Sequence, residues 1–206
     1  MKTIVRSRRP VQGFTLIEMI GVLAVIAILA SMLIPKIFEA INSARINTAV
    51  QGYDSIKTAV MDHYGKYGSI ATLRGTNTLA LPINNYDTSV LLPEALIDKP
   101  FATRVATTNQ VEVVAGAGAV PVTGINAAYD LDGSGVANND ADPAAAVVQV
   151  VISQVAISDA QDISQRIDGT NLSQPPGSAT QDLAGRVKYA TPVNGLTDVY
   201  IYVAHR

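Results

Sequence analysis

The chain of 206 residues changes its hydrophobic pattern twice. Residues 14–34 are apolar with a single charge, Glu18, and at 21 residues the run is long enough to cross the hydrocarbon core of a bilayer. Lys2, Arg6, Arg8 and Arg9 precede it with no acid among them, a bias that keeps the leader in the cytoplasm and sends the rest of the chain across. Beyond Pro35 the pattern turns amphipathic. Ile37, Ile41, Ala44, Thr48, Gly52, Ile56, Ala59 and His63 or Tyr64 recur at three- and four-residue steps, the signature of a helix with one covered face. One helix is therefore predicted over 14–64, of which only the first 30 Å or so fits in a bilayer. Pro35 has no amide hydrogen and frees the Ser31 carbonyl, which predicts either a simple kink or a locally melted stretch there.

Past Tyr64 the helical period ends. Gly65 and Gly68 among tyrosines mark an exit, and residues 69–100, with Pro82, Pro93, Pro100 and Asn84-Asn85, read as a wandering connection with one helical turn at 94–97. Strands are predicted at 111–114, 186–189 and 199–203, each β-branched or aromatic and bounded by breakers. A helix is predicted from a Ser158 cap to a stop at Gly169. The run 144–157 fits helix or strand by composition and is read as a core-facing helix. The resulting fold class is α+β: a long N-terminal helix, membrane-spanning in its first half and amphipathic in its second, packed on a small antiparallel sheet within a domain of residues 65–206.

The chemistry offered is sparse. No cysteine is present, the only histidines are His63 and His205, and no serine elbow or glycine-rich phosphate loop occurs, so an enzyme is not expected. Both histidines are read as structural or solvated, and Arg186 with Lys188, on one face of a predicted strand, as a solvated basic pair. Asp130-Leu131-Asp132-Gly133-Ser134-Gly135, followed by Asn138, Asn139, Asp140 and Asp142, is the one stretch with enough closely spaced oxygens for a hard cation. Its twelfth position falls on Ala141, so it is no EF-hand; Asp130, Asp132 and Asp140 are the calcium candidates, and a solvated Asx/Gly turn is the alternative.

Gly13-Phe14-Thr15-Leu16-Ile17-Glu18, placed between a basic leader and an apolar run, resembles the prepilin signal of type IV pilins and pseudopilins. The resemblance covers about residues 7–40 and implies cleavage after Gly13 and N-methylation of Phe14 by a prepilin peptidase, leaving the apolar segment on the mature chain. It further implies that Glu18 neutralises the terminal amine of an adjacent subunit during assembly; an intramembrane acid is costly and needs such a partner. Loss of residues 1–13 leaves 11 basic and 17 acidic side chains, a formal charge of −6, so nucleic acid is not expected as the main partner.

The partners implied by the family are the chain itself in a helical filament, the peptidase, an inner-membrane assembly platform with its ATPase, and minor pilins. The location implied is the bacterial inner membrane, single-pass with the domain in the periplasm, then a periplasmic pseudopilus or a surface pilus. Without cysteines the disulfide loop of many pilins cannot form, and some type II secretion pseudopilins use calcium, so a type II secretion pseudopilin is the first expectation. Against it, no Asp-Pro-Trp-Gly segment is present, and a pilus subunit for adhesion, motility or DNA uptake is the alternative. Ala27 stands where many pilins carry a glycine, and Gly21 lies earlier. A membrane-anchored periplasmic binding module without a filament is the reading from a different class.

Overall fold

The computed structural model describes residues 13–72, 79–115, 129–133 and 145–206. Helix α1 spans Leu16–Tyr67, and the chain divides within it into a unit ending at Ser43 and a second unit, Ala44–Arg206. In the first unit every residue from 13 to 41 is exposed. Leu16, Ile17, Leu23, Ile28, Leu29, Met32, Leu33 and Phe38 are among its bared large side chains, and they point to all sides of the helix. Helical structure continues through Pro35. Ser31, whose carbonyl loses its usual amide donor to Pro35, donates its hydroxyl to the Ile28 carbonyl at 2.7 Å.

The second unit is built on a four-stranded antiparallel sheet. β1 (Thr108–Ala115), β2 (Ala146–Ala156), β3 (Val187–Tyr189) and β4 (Leu196–His205) lie in the order β1-β2-β4-β3, with α2 (Ile157–Ile167) between β2 and β3 in sequence. Val111 and Val113, Val148, Val150 and Ile152, Val187 and Tyr189, and Val199, Ile201 and Val203 meet the α1 ridge Ile46, Ala49, Tyr53, Ile56 and Val60 in one core. Tyr53 also donates its hydroxyl to the Tyr202 carbonyl at 3.0 Å, tying α1 to β4.

That ridge corrects the stripe read from sequence. Ile37, Ile41 and Thr48 are exposed, whereas Ile56, Ala59 and His63 are buried as expected. The covered face is set by the strongest apolar residues of the second unit, and Ile46 and Tyr53 outweigh Thr48 and Gly52. Gly52 has a steric role instead: a Cβ there would lie 3.2 Å from the Phe101 ring.

The largest correction concerns 144–157, a β-strand rather than a helix. β2 is hydrogen-bonded to β1 on one side and β4 on the other. Val147 and Val151 face one layer and Val148, Val150 and Ile152 the other, so a central strand covered on both sides shows a continuous apolar run in place of alternation. The helical turn expected at 94–97 is displaced to a π-helical turn at Asp87–Leu91 followed by turns over 92–95. α2 ends as expected: the Gly169 N–H bonds the Gln165 carbonyl, and its φ of +79° suits glycine. Its start differs, since Ala156 is the cap and Ser158 does not cap it; the Gly195 carbonyl accepts the Ile157 N–H at 3.1 Å instead.

α2 is pinned to the rest of the domain through a buried carboxylate. Ser164 Oγ donates to Asp182 Oδ2 at 2.8 Å, and Asp182 exchanges backbone bonds with Tyr189 of β3. Burial raises the Asp182 carboxyl to about 6, opposed by hydrogen bonds from Ser164 and two backbone amides. A native value above the unfolded one means that the charged form costs stability above pH 6, a cost relieved as pH falls from about 6 towards the ordinary aspartate value of 3.8. Full-length protein in detergent should therefore gain thermal stability relative to Asp182→Asn between pH 7 and pH 4.5. A difference in Tm that stays constant over that range would show that Asp182 does not titrate between the two states.

Candidate functional site

Thr15 and Glu18 close the start of α1 on themselves. Leu16 is the first helical residue, which makes Thr15 the N-cap and puts Glu18 three residues on. Glu18 Oε2 accepts from the Thr15 backbone N–H and from its hydroxyl, both at 2.7 Å. The Glu18 N–H points back to Thr15 Oγ1 at 3.4 Å, the reciprocal pattern of a capping box. The carboxylate also sits at the positive end of the helix dipole. Glu18 thus has a local reason to be where it is; its place in the first helical turn is evident from sequence, whereas the Thr15 cap was not read although the Thr-x-x-Glu spacing is present. Among the described residues, the second oxygen, Oε1, accepts no hydrogen bond.

The residues around this cap make no demands of the fold. Phe14 is 81% exposed, and a side chain on Gly13 would meet nothing within 4 Å. Glycine at 13 is therefore not required for packing, and neither is an aromatic at 14. Downstream, Lys36 Nζ and Glu39 Oε2 pair at 2.9 Å on the helix surface, the only two charged side chains between Glu18 and Arg45.

Residues 8–34 match the family model described as the prokaryotic N-terminal methylation motif. The chain carries the type IV pilin and pseudopilin signal. Taken over its length, it matches no curated protein and no solved structure. The signal covers Gly13, Phe14 and Glu18 and ends at Ile34, where the apolar run ends. The long helix on a small antiparallel sheet is the pilin-like α+β arrangement, and the exposed apolar helix fits membrane anchoring.

Other candidates from the sequence fall elsewhere. Asp130 is buried with its carbonyl accepting the Gly185 N–H at 2.7 Å, while Asp140 lies outside the described residues together with the rest of the loop from Ser134 to Asp142. Among the described residues no cluster of three His, Cys, Asp or Glu side chains could hold a metal. His63 is wholly buried and structural: Nδ1 lies 2.7 Å from Glu94 Oε2, and the ring packs against Tyr67 and Tyr86. His205 is exposed and pairs with the Tyr202 hydroxyl.

The basic pair is split, Arg186 lying just before β3 and Lys188 within it. Arg186 is exposed, but Lys188 is 2% exposed, with Nζ 5.4 Å from the centre of the Tyr129 ring. The solvated reading fails for Lys188 because the sheet's second face is covered too. Tyr129 covers it, donating to Gln149 Oε1 at 2.9 Å, and Gln149 Nε2 donates to Glu112 Oε1 at 2.7 Å. Glu112 and Lys188 lie in predicted strands and Gln149 in the run read as a helix, and none of them gave a signal in the sequence, since their burial depends on a distant segment.

The cap can be measured directly. Thr15→Ala removes one of the two bonds to Glu18 Oε2 and should cost about 1 kcal/mol of local helix stability. Amide exchange at Glu18 and Met19 in detergent-solubilised protein is expected to accelerate about fivefold on that basis. Unchanged exchange would mean that the hydroxyl does not hold the first turn.

Proposed function

We propose that a prepilin peptidase removes residues 1–13 and methylates the new amine of Phe14, and that the mature chain polymerises as a structural subunit of a type IV filament-like assembly. The observation that carries this reading is Glu18: a carboxylate within an apolar helix that lacks protein cover, one oxygen committed to its own cap and the other free, inside a matched methylation motif. A helix apolar on all sides needs an apolar surrounding, first lipid and then the same segment of other subunits. In that setting an ammonium meeting Oε1 recovers the energy that an unpaired acid forfeits. Pairing need not break the Thr15 cap, because the two roles use different oxygens. Gly13 supports cleavage at this point, since the fold itself places no demand on a glycine there.

Within that class the reading is a type II secretion pseudopilin, held in the inner membrane with residues 65–206 in the periplasm. The absence of cysteine supports it, because no disulfide can close the C-terminal loop. A pilus subunit is the second reading, favoured by the absence of tryptophan and with it of the Asp-Pro-Trp-Gly segment.

Glu18→Ala should leave membrane insertion intact and reduce assembled polymer by roughly two to four orders of magnitude, following from about 3–5 kcal/mol for removing one partner of a buried pair. Immunogold electron microscopy with an antibody to residues 65–206, on intact and permeabilised cells, separates the two filaments. Label along surface fibres means a pilus, whereas label reached only after permeabilisation, with secretion lost in the variant, means a pseudopilus. Unchanged function of Glu18→Ala, with no polymer formed by either protein, would leave a membrane-anchored domain without a filament.

A further inference from the structure

We propose that the hairpin tip between β3 and β4 of one copy seats in an apolar cavity beside the far end of β4 on a second copy; this rests on the filament reading above. At the tip, Val193 and Leu196 exchange two backbone bonds, each N–H donating to the other's carbonyl, at 2.9 and 3.1 Å. Asn194 and Gly195 between them have φ of +54° and +78°, the pair of positive values that a tight two-residue hairpin requires. Residues paired in this way carry their side chains on one face of the hairpin. Val193 is 73% exposed and Leu196 38%, so the two make one apolar knob on a rigid support. Among the described residues of the second unit, the other large exposed apolar side chains are Met61 and Tyr64.

Those two stand at the mouth of the cavity. With buried Val60 and Ile70 and with Ala204 they line an open space of about 290 Å³, with Arg206 at its edge. An apolar cavity of about 150 Å³ already admits a benzene-sized molecule, so this one has room for a valine and a leucine side chain. Tip and cavity lie at opposite ends of β4, whose 10 residues span about 30 Å at about 3.3 Å each. A copy therefore cannot fill its own cavity with its own tip.

Charge and symmetry select a second copy as the occupant. From Tyr189 to Tyr200 the one charged residue is Asp198. Helix α2, whose Ile157 N–H bonds the Gly195 carbonyl, opens with Asp159 and Asp162 before any base. Around the cavity the balance reverses. Over residues 57–70, Lys57 stands one turn before Met61 on the same side of α1 and Lys66 follows, against one acid, Asp62. The Arg206 guanidinium adds a further positive charge 4.9 Å from the Tyr64 ring. An acidic end thus meets a basic one. A knob of two side chains falls far short of the area of about 1,200 Å² that a stable pair buries, so the contact operates between copies already held together by their apolar segments. Because it joins two different patches, it leaves a tip and a cavity open at the ends and propagates along a row of copies.

The native chain has no cysteine, so introduced ones report single contacts, closing only where Cα atoms come within about 7 Å. Full-length Val193→Cys and Met61→Cys proteins are produced together, assembled and oxidised. The expected product is a disulfide-linked dimer containing one of each, with no dimer from either variant alone. The double variant Val193→Cys/Met61→Cys should give a ladder of multimers. Adding Leu196→Ser to the tip protein should lower the mixed-dimer yield several-fold. Gln51→Cys, exposed on α1 almost three turns before Met61, should give no dimer with the tip protein. Dimers from either variant alone, or equal yields with Gln51→Cys, overturn the head-to-tail contact. A tip cysteine captured by a different protein overturns the second copy as occupant. Glu18-dependent polymer without the mixed dimer refutes this contact and leaves the filament reading standing, whereas wild-type protein that forms no polymer refutes the filament reading and the contact with it.

Discussion

Nothing in the first unit shields its apolar side chains, and this constraint organises the rest of the molecule. From Leu16 to Ile34 the helix bares isoleucine, leucine, valine and methionine on every side, so it has no face along which water would be tolerated. Such a segment is stable only where other apolar groups surround it. Lipid satisfies that demand, and so does a bundle of identical helices, because both offer the same non-directional burial. Moving between the two costs little in apolar contacts and leaves the polar groups to decide direction. Glu18 is the one charge within the run; one of its oxygens is held by the Thr15 cap, and the other accepts no hydrogen bond among the described residues.

The second unit meets the opposite requirement, since it has to be stable in water. It does so by closing both faces of one sheet. On one face the α1 ridge Ile46, Ala49, Tyr53, Ile56 and Val60 shares one core with apolar residues of all four strands, and on the other Tyr129 lies over Gln149 and Lys188. The two layers differ in kind. The α1 layer is apolar and tolerant, whereas the second contains a buried lysine, an amide and a carboxylate whose positions are fixed by directional bonds from Tyr129 to Gln149 and from Gln149 to Glu112. A slip of one residue in β1 against β2 would send Glu112 into the apolar layer and away from Gln149, so the polar chain holds the register.

Much of this was legible in the residues. The apolar run, the acid within it, the basic leader and the glycine before Phe14 depend only on local composition and spacing, which carry their meaning into any surrounding. The same holds for Gly169, whose positive φ is a local property, and for the strands at 111–114 and 199–203, which the structure extends to Thr108–Ala115 and Leu196–His205. The Thr15 cap was equally local and was overlooked because the charge of Glu18 drew the reading towards a partner in another subunit.

What the sequence determined by itself was therefore the anchor, the processing signal and the existence of a long helix followed by strands. Tertiary structure decided which face of α1 is covered, because Ile46 and Tyr53 win only when a sheet is present to receive them. It decided that 146–156 is a strand, because a valine-rich run has no period when neighbours bury both of its faces. It also decided that Lys188 is buried while Arg186, two residues earlier on the same side in sequence, is exposed. Burial at a position depends on what folds over it, and Tyr129, 59 residues before Lys188, is what folds over Lys188.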